Sequence, residues 1–316
     1  MKVLVTGGAG FIGSHLADRL VADGHHVTIF DNFSTGRREN LQGRARTARV
    51  IEADICDREA LRSALAGMDA LVHLAAVASV QASMHDPLTT HAANLGGTLN
   101  GLEAAAALGV RRVVYASSAA VYGTEAPVPV AEDSPTAPLS PYAIDKLAGE
   151  QYLVYFARER GLDATALRFF NVYGPRQDAS SPYSGVISLY GARLEAGLPF
   201  LVYGDGRQTR DFVYVADLVN VLVRVLMRRD LRGAILNVGT GRESDLLALA
   251  AAFEAWVGHP LARRFLPPRH GDIRRSCADV RRLRAALGDV PTTDLATGLA
   301  RLLGPSARRE MRASVR

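Results

Sequence analysis

The chain has 316 residues, of which 48% are hydrophobic and 22% are charged, and its formal net charge is +5. This composition is typical of a globular protein and excludes a disordered or collagen-like chain, while the length fits about two domains. The arginines are spread over the chain, with a modest cluster at residues 308–316. We interpret that cluster as a solvated tail and expect no nucleic-acid partner.

The two cysteines, Cys56 and Cys277, cannot form a disulfide framework, and neither lies near a second Cys or a His at metal-ligand spacing. We therefore expect no metal site and a reducing, cytoplasmic location. The first strand runs directly into glycines, which leaves no apolar segment long enough for a signal peptide, and no later segment approaches a membrane span. No membrane association is expected.

In the first half of the chain, short β-branched segments alternate with longer Ala- and Leu-rich amphipathic segments. The predicted strands are residues 2–6, 27–30, 70–74, 112–116 and 164–168, and the predicted helices are residues 14–23, 58–66, 94–108 and 142–160. This alternation predicts an α/β fold with a doubly wound parallel sheet of the Rossmann type. Ligands of such sheets bind at the carboxyl ends of the strands.

Three glycines, Gly7, Gly10 and Gly13, lie between the first predicted strand and the first predicted helix. Glycines in this position let backbone N–H groups and the helix N-terminus approach a diphosphate, which predicts a dinucleotide site. Asp31 ends the next strand, where a carboxylate accepts hydrogen bonds from ribose hydroxyls and repels a 2′-phosphate. The cofactor is therefore expected to be NAD, although Arg37 and Arg38 leave NADP open.

Asp54 follows the segment Val50–Ala53. It is positioned either to cap the adenine of the cofactor or to act as the N-cap of the predicted helix that follows.

Tyr142 and Lys146 are one helical turn apart, so both side chains project from one face of the predicted helix. A phenol with a pKa of about 10 becomes a useful base near neutral pH when nearby positive charge lowers that pKa by about three units, or about 4 kcal/mol. Lys146 and an oxidised nicotinamide both supply such charge. Ser117 and Ser118 follow the predicted strand 112–116, where a hydroxyl can bridge the phenol and a substrate oxygen.

With these residues in place, the sequence resembles the extended short-chain dehydrogenase/reductase family, and within it the UDP-sugar 4-epimerases related to UDP-galactose 4-epimerase. The resemblance covers nearly the whole chain. The matching segments are Thr6–Gly13, Asp31–Ser34, Leu74–Ala76, Asn94, Ser117–Gly123, Ser140–Tyr142 with Lys146, Arg168–Pro175, Gly204–Gly206, Arg210–Phe212 and Arg269–Asp272.

The resemblance implies a role for each of several residues. It implies that Ser118 and Tyr142 contact the sugar 4-hydroxyl and that Lys146 binds the nicotinamide ribose and lowers the pKa of Tyr142. Taken with the residues argued above, it gives an NAD-binding set of Gly7, Gly10, Phe11, Ile12, Gly13, Asp31, Asn32, Ser34, Asp54, Ile55, Leu74, Ala75, Ala76, Asn94, Ser117, Tyr142, Lys146 and Phe169. The implied substrate-binding set is Ser118, Asn171, Val186, Tyr203, Arg210, Arg269, Asp272 and Ser276.

The pattern of strands and helices loosens after Gly174, although a strand at residues 235–238 and a helix at residues 244–257 are still predicted. We expect an NAD-binding domain over residues 1–174 and a smaller UDP-sugar-binding α/β domain over residues 175–316. Part of 207–243 is expected to fold back onto the first domain. The resemblance also implies a homodimer in which helices 94–108 and 142–160 pair with their copies.

The residues after Ser118 indicate the type of reaction. Dehydratases of the family have Asp and Glu there, and the UDP-glucuronate decarboxylases keep a Glu, whereas this chain has Ala119 and Ala120. Two methyl groups cannot transfer protons, so elimination lacks its acid and base. Reversible hydride transfer at C4 needs Tyr142 and the cofactor, which predicts a 4-epimerase acting through a transient 4-ketosugar.

The resemblance also bears on the sugar. The family's pocket-gating position falls at Ser276, where relatives restricted to hexoses have a Tyr, so UDP-N-acetylglucosamine and its galacto epimer join UDP-glucose and UDP-galactose as expected substrates. Uronate-specific relatives tend to have Thr at Asn171 and Arg at Asp178, and an acid at residue 178 repels a C6 carboxylate. A UDP-uronate 4-epimerase, a 4-ketosugar reductase and a non-catalytic dinucleotide sensor remain as alternatives.

Overall fold

The structure is a computed structural model that describes residues 1–179, 185–268, 272–288 and 293–313. The strands are β1 (Lys2–Thr6), β2 (His26–Asp31), β3 (Arg49–Glu52), β4 (Ala70–His73), β5 (Arg112–Ser118), β6 (Ala164–Phe169), β7 (Asn171–Tyr173), β8 (Phe200–Tyr203), β9 (Thr209–Arg210), β10 (Phe212–Tyr214), β11 (Ile235–Val238), β12 (Ser244–Asp245) and β13 (Arg263–Leu266). The helices are α1 (Phe11–Ala22), α2 (Arg58–Leu65), α3 (Val80–His85), α4 (Pro87–His91), α5 (Gly97–Ala107), α6 (Pro141–Glu159), α7 (Val186–Glu195), α8 (Val215–Leu226), α9 (Leu246–Val257), α10 (Arg281–Leu287) and α11 (Leu295–Ala313).

A parallel sheet of seven strands, in the order β11-β6-β5-β4-β1-β2-β3, forms the centre of the protein. Helices cover both of its faces, with α1 and α8 on one and α2, α5 and α6 on the other. The strands serve both cores by simple alternation: Val3 and Val5 of β1 point to the first core and Leu4 to the second. Because the strands are buried on both faces, their sequences are almost continuously apolar. The doubly wound α/β fold is confirmed.

A smaller third core lies in the C-terminal part, among α7, α9, α11 and the strands β7, β8 and β10. The short strands pair as β7–β10, β8–β13 and β9–β12. Its centre is aromatic: the ring centroids of Tyr190 and Phe200 are 4.2 Å apart, and those of Phe200 and Phe253 are 5.3 Å apart. The chain bends inside α11 at Gly304, where φ is 70°.

The structure contains elements that were not predicted from the sequence, and one predicted helix begins at a different residue. The edge strand β3 was not predicted, because three of its four side chains are exposed and it lacks an apolar pattern. Helix α8 was also not predicted, although it packs on α1. The helix predicted from residue 94 begins at Gly97, after a π-helical turn at Ala92–Gly96 that continues from α4.

The predicted strand at residues 235–238 is β11, which pairs with β6 at the edge of the main sheet. The division of the chain at Gly174 remains a proposal. In the part of the chain that the structure describes, no helix is both long and apolar enough to cross a membrane.

Candidate active site

A cavity of about 340 Å³ lies at the carboxyl ends of the central strands, where the doubly wound fold predicts a ligand. Its lining includes residues that directly follow β1, β2, β3 and β4, together with Ser117 near the end of β5 and Phe169 at the end of β6. All the predicted NAD-binding residues except Asn94 line this cavity.

The glycine turn between β1 and α1 forms one wall of the cavity. A Cβ atom at Gly13 would lie 2.1 Å from the carbonyl oxygen of Gly7, so the turn is too tight for any side chain there. Gly10 is the N-cap residue of α1; no side chain caps this helix, and its first turn has no acidic residue. The first N–H groups of α1 are thus left for a ligand, and the positive end of the helix favours an anion such as a diphosphate.

Asp31 connects this turn to the predicted ribose site. Its Oδ2 accepts a hydrogen bond from the Ala9 N–H at 2.8 Å, and its Oδ1 accepts one from the Phe33 N–H at 2.8 Å. A carboxylate has about four acceptor sites, so two remain for ribose hydroxyls.

The two arginines that left NADP open are both engaged by carboxylates. Arg37 forms an ion pair with Asp178 at 3.1 Å, while Arg38 pairs with Glu52 and lies over the Phe33 ring at 4.3 Å. The environment of Asp31 therefore fits NAD.

Asn32, Ser34 and Asp54 form a hydrogen-bonded group on the cavity wall. The Asn32 side chain donates to Asp54 Oδ2 at 2.8 Å and accepts from both the N–H and the hydroxyl of Ser34. The N–H of Cys56 donates to Asp54 Oδ1 and, with the hydrogen bond from Asn32, lowers the pKa of Asp54. The N-cap interpretation of Asp54 is wrong, because Asp57 caps α2 by accepting from the Ala60 N–H.

The segment that follows β4 forms the apolar wall, which includes Leu74, Ala75 and Ala76. Asn94 lies behind this wall: its side chain accepts from the Val77 N–H at 2.7 Å and donates to the Val77 carbonyl at 3.2 Å. Asn94 therefore supports Val77, which itself lines the cavity.

His73, at the end of β4, fixes the start of the same wall. The Thr98 hydroxyl donates to the Asn94 carbonyl, so Nε2 of His73 donates to Thr98 and Nδ1 accepts from the Thr6 hydroxyl at 2.7 Å. Thr6 in turn accepts from the Ala75 N–H. Burial lowers the pKa of His73 to about 3, so the ring is neutral.

Helix α6 brings Tyr142 and Lys146 to the cavity. Ser140 caps the helix by accepting from the Ala143 N–H at 3.2 Å, and Pro141 occupies the first helical position, so Tyr142 lies in the first turn. Gly149 allows a close approach to β5, because a Cβ there would be 2.4 Å from the Tyr115 hydroxyl. Lys146 Nζ consequently donates to the Ala116 carbonyl at 2.7 Å.

Burial shifts the pKa values of Tyr142 and Lys146 in opposite directions. Burial raises the pKa of the Tyr142 phenol, and the hydrogen bond with Ser118 works against this rise. Burial lowers the pKa of Lys146 to about 8, against the charges of Asp145 and Glu150. Lys146 is thus mostly protonated at pH 7, and its Nζ lies 5.9 Å from the Tyr142 ring centroid.

Ser117 belongs to a buried network that sequence reasoning did not identify. Its hydroxyl donates to Glu150, and Arg168 of β6 holds Glu150 through two hydrogen bonds of 2.9 and 2.7 Å. Arg168 also lies over the Tyr122 ring at 4.7 Å. The available signal was the spacing of Glu150, one turn after Lys146 on the same helix.

None of the predicted substrate residues that the structure describes lines this cavity. Asn171 begins β7, Val186 begins α7 and Tyr203 ends β8. The structure brings Arg210 and Asp272 together as an ion pair, and Arg210 also donates to the Ile273 carbonyl.

Two further substrate residues complete the predicted set. Ser276 is half-buried and directly precedes the buried Cys277. Arg269 lies outside the described residues. Within the described ranges, no group of three or more His, Cys, Asp or Glu side chains could hold a metal ion.

Comparisons with known proteins agree with this geometry. The model of the NAD dependent epimerase/dehydratase family matches residues 3–239. The UDP-glucose 4-epimerase of Mycolicibacterium smegmatis is 44% identical over 306 residues, which cover 95% of this chain and 97% of that protein.

Two solved structures have the same fold. The UDP-glucose 4-epimerase of Thermus thermophilus in complex with NAD has a TM-score of 0.87 and 36% identity, over 99% of this chain and 100% of that one. The UDP-N-acetylglucosamine 4-epimerase of Methanobrevibacter ruminantium, in complex with UDP-N-acetylmuramic acid, has a TM-score of 0.89 and 35% identity, over 96% of each chain. The expected NAD cofactor is confirmed, and the chain belongs to the NAD-dependent epimerase/dehydratase family of extended short-chain dehydrogenases/reductases.

Proposed function

We propose that the protein is a UDP-sugar 4-epimerase that inverts the configuration at C4 through a transient 4-ketosugar. One observation carries this proposal: Tyr142 and Lys146 line the same cavity as the glycine turn and Asp31, and Ser118 is close enough to Tyr142 to lower the pKa of its phenol. A base, a fixed positive charge and a dinucleotide cradle are thus combined in a single cavity. The UDP-glucose and UDP-N-acetylglucosamine 4-epimerases similar to this chain support the same reaction type.

The proton chemistry follows from these side chains. NAD, when bound, supplies the hydride acceptor and donor for C4. Tyr142 removes the proton of the sugar 4-hydroxyl and returns it after the 4-ketosugar has presented its opposite face. Ser118 bridges the sugar oxygen and the phenol, and Lys146 lowers the pKa of Tyr142 by its charge.

The turn after β5 supports epimerisation over elimination. The Ser118 hydroxyl accepts a hydrogen bond from the Ala120 N–H at 3.2 Å. The 3₁₀ turn Ala119–Tyr122 that follows begins with the two alanines. Neither alanine can act as an acid or base, so a dehydratase would have no group here to transfer its protons. Since no net oxidation occurs, the cofactor is expected to remain bound between turnovers.

For the substrate, we propose both hexoses and N-acetylhexosamines on UDP. Ser276 is small, which leaves room for an N-acetyl group at the gating position that the resemblance indicates. A uronate is disfavoured because Asp178 stands where uronate-specific relatives tend to have Arg, and an acid at this position repels a C6 carboxylate.

We propose that the protein forms a homodimer and is located in the cytoplasm. Large apolar side chains are exposed on α6, among them Ile144 at 52% and Tyr155 at 49%, and a four-helix contact of α5 and α6 with their copies would cover them. Free thiols at Cys56 and Cys277 suit a reducing compartment.

Separate incubation with UDP-glucose and with UDP-N-acetylglucosamine, followed by chromatographic separation of the epimers, tests the proposal. Interconversion of either sugar at C4 without added oxidant or reductant is expected. Release of stoichiometric NADH, or a dehydrated product, would instead indicate a different reaction on the same scaffold. Incubation with a UDP-uronate in parallel tests the alternative epimerase.

A further inference from the structure

Asp145 is a buried carboxylate on α6 that directly precedes Lys146. Its side chain is 3% exposed, and its Oδ1 accepts a hydrogen bond at 2.8 Å from Nδ1 of His91, the last residue of α4. Its Oδ2 is buried and has no hydrogen-bond partner among the described residues. A buried carboxylate oxygen without a donor costs free energy, so a purely structural role would be better served by an apolar side chain. The negative charge itself therefore needs an explanation.

Lys146 is the group that benefits from this charge. It is 3% exposed, and the Ala116 carbonyl that accepts from its Nζ carries no full charge. Burial favours the neutral amine, and the charges of Asp145 and Glu150 oppose it. Because Arg168 forms a two-hydrogen-bond ion pair with Glu150, much of the charge of Glu150 is already balanced.

Asp145 has no such counter-charge from an arginine. Among the described residues its hydrogen-bond partner is the ring of His91, whose side chain is 60% exposed. The carboxylate is therefore anchored from the protein surface, through a hydrogen bond that crosses from α4 to α6. Its negative charge raises the pKa of the buried Lys146, the next residue of α6.

The other titratable groups around this helix do not replace Asp145. His73 of β4 is neutral because its pKa is about 3, and burial raises the pKa of Tyr115 of β5, which stays protonated. On the helices packed against α6, His85 of α3 is exposed, and Glu103 of α5 pairs with Arg58 at 2.8 Å. The Asp86 side chain caps α4 by accepting from the Thr89 N–H.

We propose that Asp145, held in place by His91, is a positioning residue that keeps the Lys146 side chain charged for the reaction. The inference rests on the proposed function in so far as Lys146 acts on Tyr142. Asp145 acts through Lys146 and does not touch the reacting atoms. His91 links this interior charge to the exposed face of α4 and α6.

The protonation of Lys146 can be followed directly by NMR, because the chain has two lysines, Lys2 and Lys146. Protein grown with lysine labelled with ¹³C at Cε gives one signal from each, and Lys2 is exposed and serves as the internal reference. The pH titration of the Lys146 signal follows the protonation of Nζ without any substrate. Full-length protein is used, with the NAD content of every sample measured and matched.

The expected wild-type midpoint is about pH 8. Asp145→Asn removes the charge at constant size and should lower the midpoint by about one pH unit, a tenfold loss of proton affinity. His91→Leu removes the anchoring hydrogen bond from a surface position and should lower it in the same direction by less. Glu159→Gln is the matched control, since it removes a carboxylate from the exposed end of the same helix and should leave the midpoint unchanged.

Activity separates this proposal from the proposed function. The alkaline limb of kcat/KM should move to lower pH in Asp145→Asn, in parallel with the titration of Lys146. An unchanged Lys146 midpoint in both Asp145→Asn and His91→Leu overturns the positioning role, even if the protein is an epimerase. A lowered midpoint in a protein without activity on any UDP-sugar supports the positioning role and rejects the epimerase. If Asp145→Asn does not fold, His91→Leu decides alone.

Discussion

Arg176 and Asp18 are 158 residues apart in the chain, and their side chains form an ion pair with Nη2 and Oδ2 at 2.7 Å. Two further contacts run in parallel: the His15 ring is hydrogen-bonded to the Pro175 carbonyl at 2.9 Å, and Arg37 pairs with Asp178. Residues 174–178 are thereby fastened to α1 and to the loop after β2. Since Arg176 and Asp178 line the cavity, this segment, here called the strap, forms part of the wall of the proposed cofactor site.

We predict that the strap slows the release of NAD, compared with binding by the glycine turn and Asp31 alone. Arg176→Ala removes the half-buried ion pair with Asp18, and the loss of about 1 kcal/mol should raise the NAD dissociation rate about fivefold. The rate is measured by the exchange of bound NAD against a labelled excess. Arg19→Ala is the control, because Arg19 lies next to Asp18 on α1 but pairs with Asp23. Equal rates in the two variants would show that the strap does not retain NAD.

Tyr142→Phe tests the proposed base. The variant deletes only the phenolic oxygen, so folding and NAD binding should be unchanged, while kcat should fall about 10²- to 10⁴-fold. Tyr152→Phe makes the same chemical change at an exposed position of α6 and should leave turnover unaltered. Turnover near the wild-type value in Tyr142→Phe would remove Tyr142 from the mechanism. Ser118→Ala should cost less, because it removes a hydrogen bond and leaves the proton acceptor.

The parts of this site that could be predicted from sequence are those fixed by local geometry. The spacing of Gly7, Gly10 and Gly13 after a strand, and the one-turn spacing of Tyr142 and Lys146, each depend on a few consecutive residues. The main sheet was predictable for the same reason, since buried parallel strands carry an apolar signal of their own.

The parts that escaped prediction depend on partners that are distant in sequence. Nothing near Arg176 or Glu150 indicates that they meet Asp18 and Arg168, because such pairs exist only once the sheet and its helices are packed. Arg168 was singled out by the family resemblance but without a role. Asp54 was ambiguous between a contact with the adenine and the N-cap of the next helix, and Asp57, three residues later, proved to be the cap.

The buried ring of His73 predicts a loss of stability in acid. Its pKa is about 3 in the folded protein and about 6.5 when unfolded, so the unfolded state binds more protons between these values. The stability is therefore complete above pH 6.5 and falls by about 1.4 kcal/mol for each pH unit below it, or about 2 kcal/mol at pH 5. Urea unfolding at pH 7 and pH 5 measures this for the wild type and His73→Asn.

His73→Asn cannot be protonated, so the stability gap between wild type and variant should narrow by about 2 kcal/mol from pH 7 to pH 5. His85→Asn, at an exposed position, should change the free energy of unfolding little at either pH. A gap that stays constant for His73→Asn would mean that the ring is not held neutral.

The exposed face of α6 predicts the oligomeric state. Ile144, Tyr152 and Tyr155 are 42–52% exposed and lie on one side of the helix, so a charge among them should disrupt the proposed dimer. Ile144→Glu is expected to sediment as a monomer at micromolar concentration, and the wild type as a dimer. Leu198→Glu introduces the same charge at an exposed apolar residue after α7 and should remain dimeric. A monomeric wild type would refute the four-helix contact.

The choice of sugar is tested at Ser276, which directly precedes the buried Cys277 and Ala278. The next residues are firmly held, because the Val130 N–H donates to the Cys277 carbonyl at 2.8 Å and the Ala278 N–H donates to Asp211. A larger side chain at residue 276 therefore cannot be absorbed by a shift of this backbone and must occupy the space beside it. Ser276→Tyr should then exclude an N-acetyl group and leave the C2 hydroxyl of UDP-glucose largely unaffected.

Discrimination by one such group is worth about 1–3 kcal/mol, so the ratio of kcat/KM for UDP-N-acetylglucosamine to that for UDP-glucose should fall about 10- to 200-fold in Ser276→Tyr. Ser276→Ala removes the hydroxyl without filling the space, and its ratio should stay at the wild-type value. If Ser276→Ala also lowers the ratio, a hydrogen bond of Ser276 selects the sugar, and its volume does not. An unchanged ratio in Ser276→Tyr would place the gate elsewhere, and wild-type protein inactive on UDP-N-acetylglucosamine would restrict the substrates to hexoses.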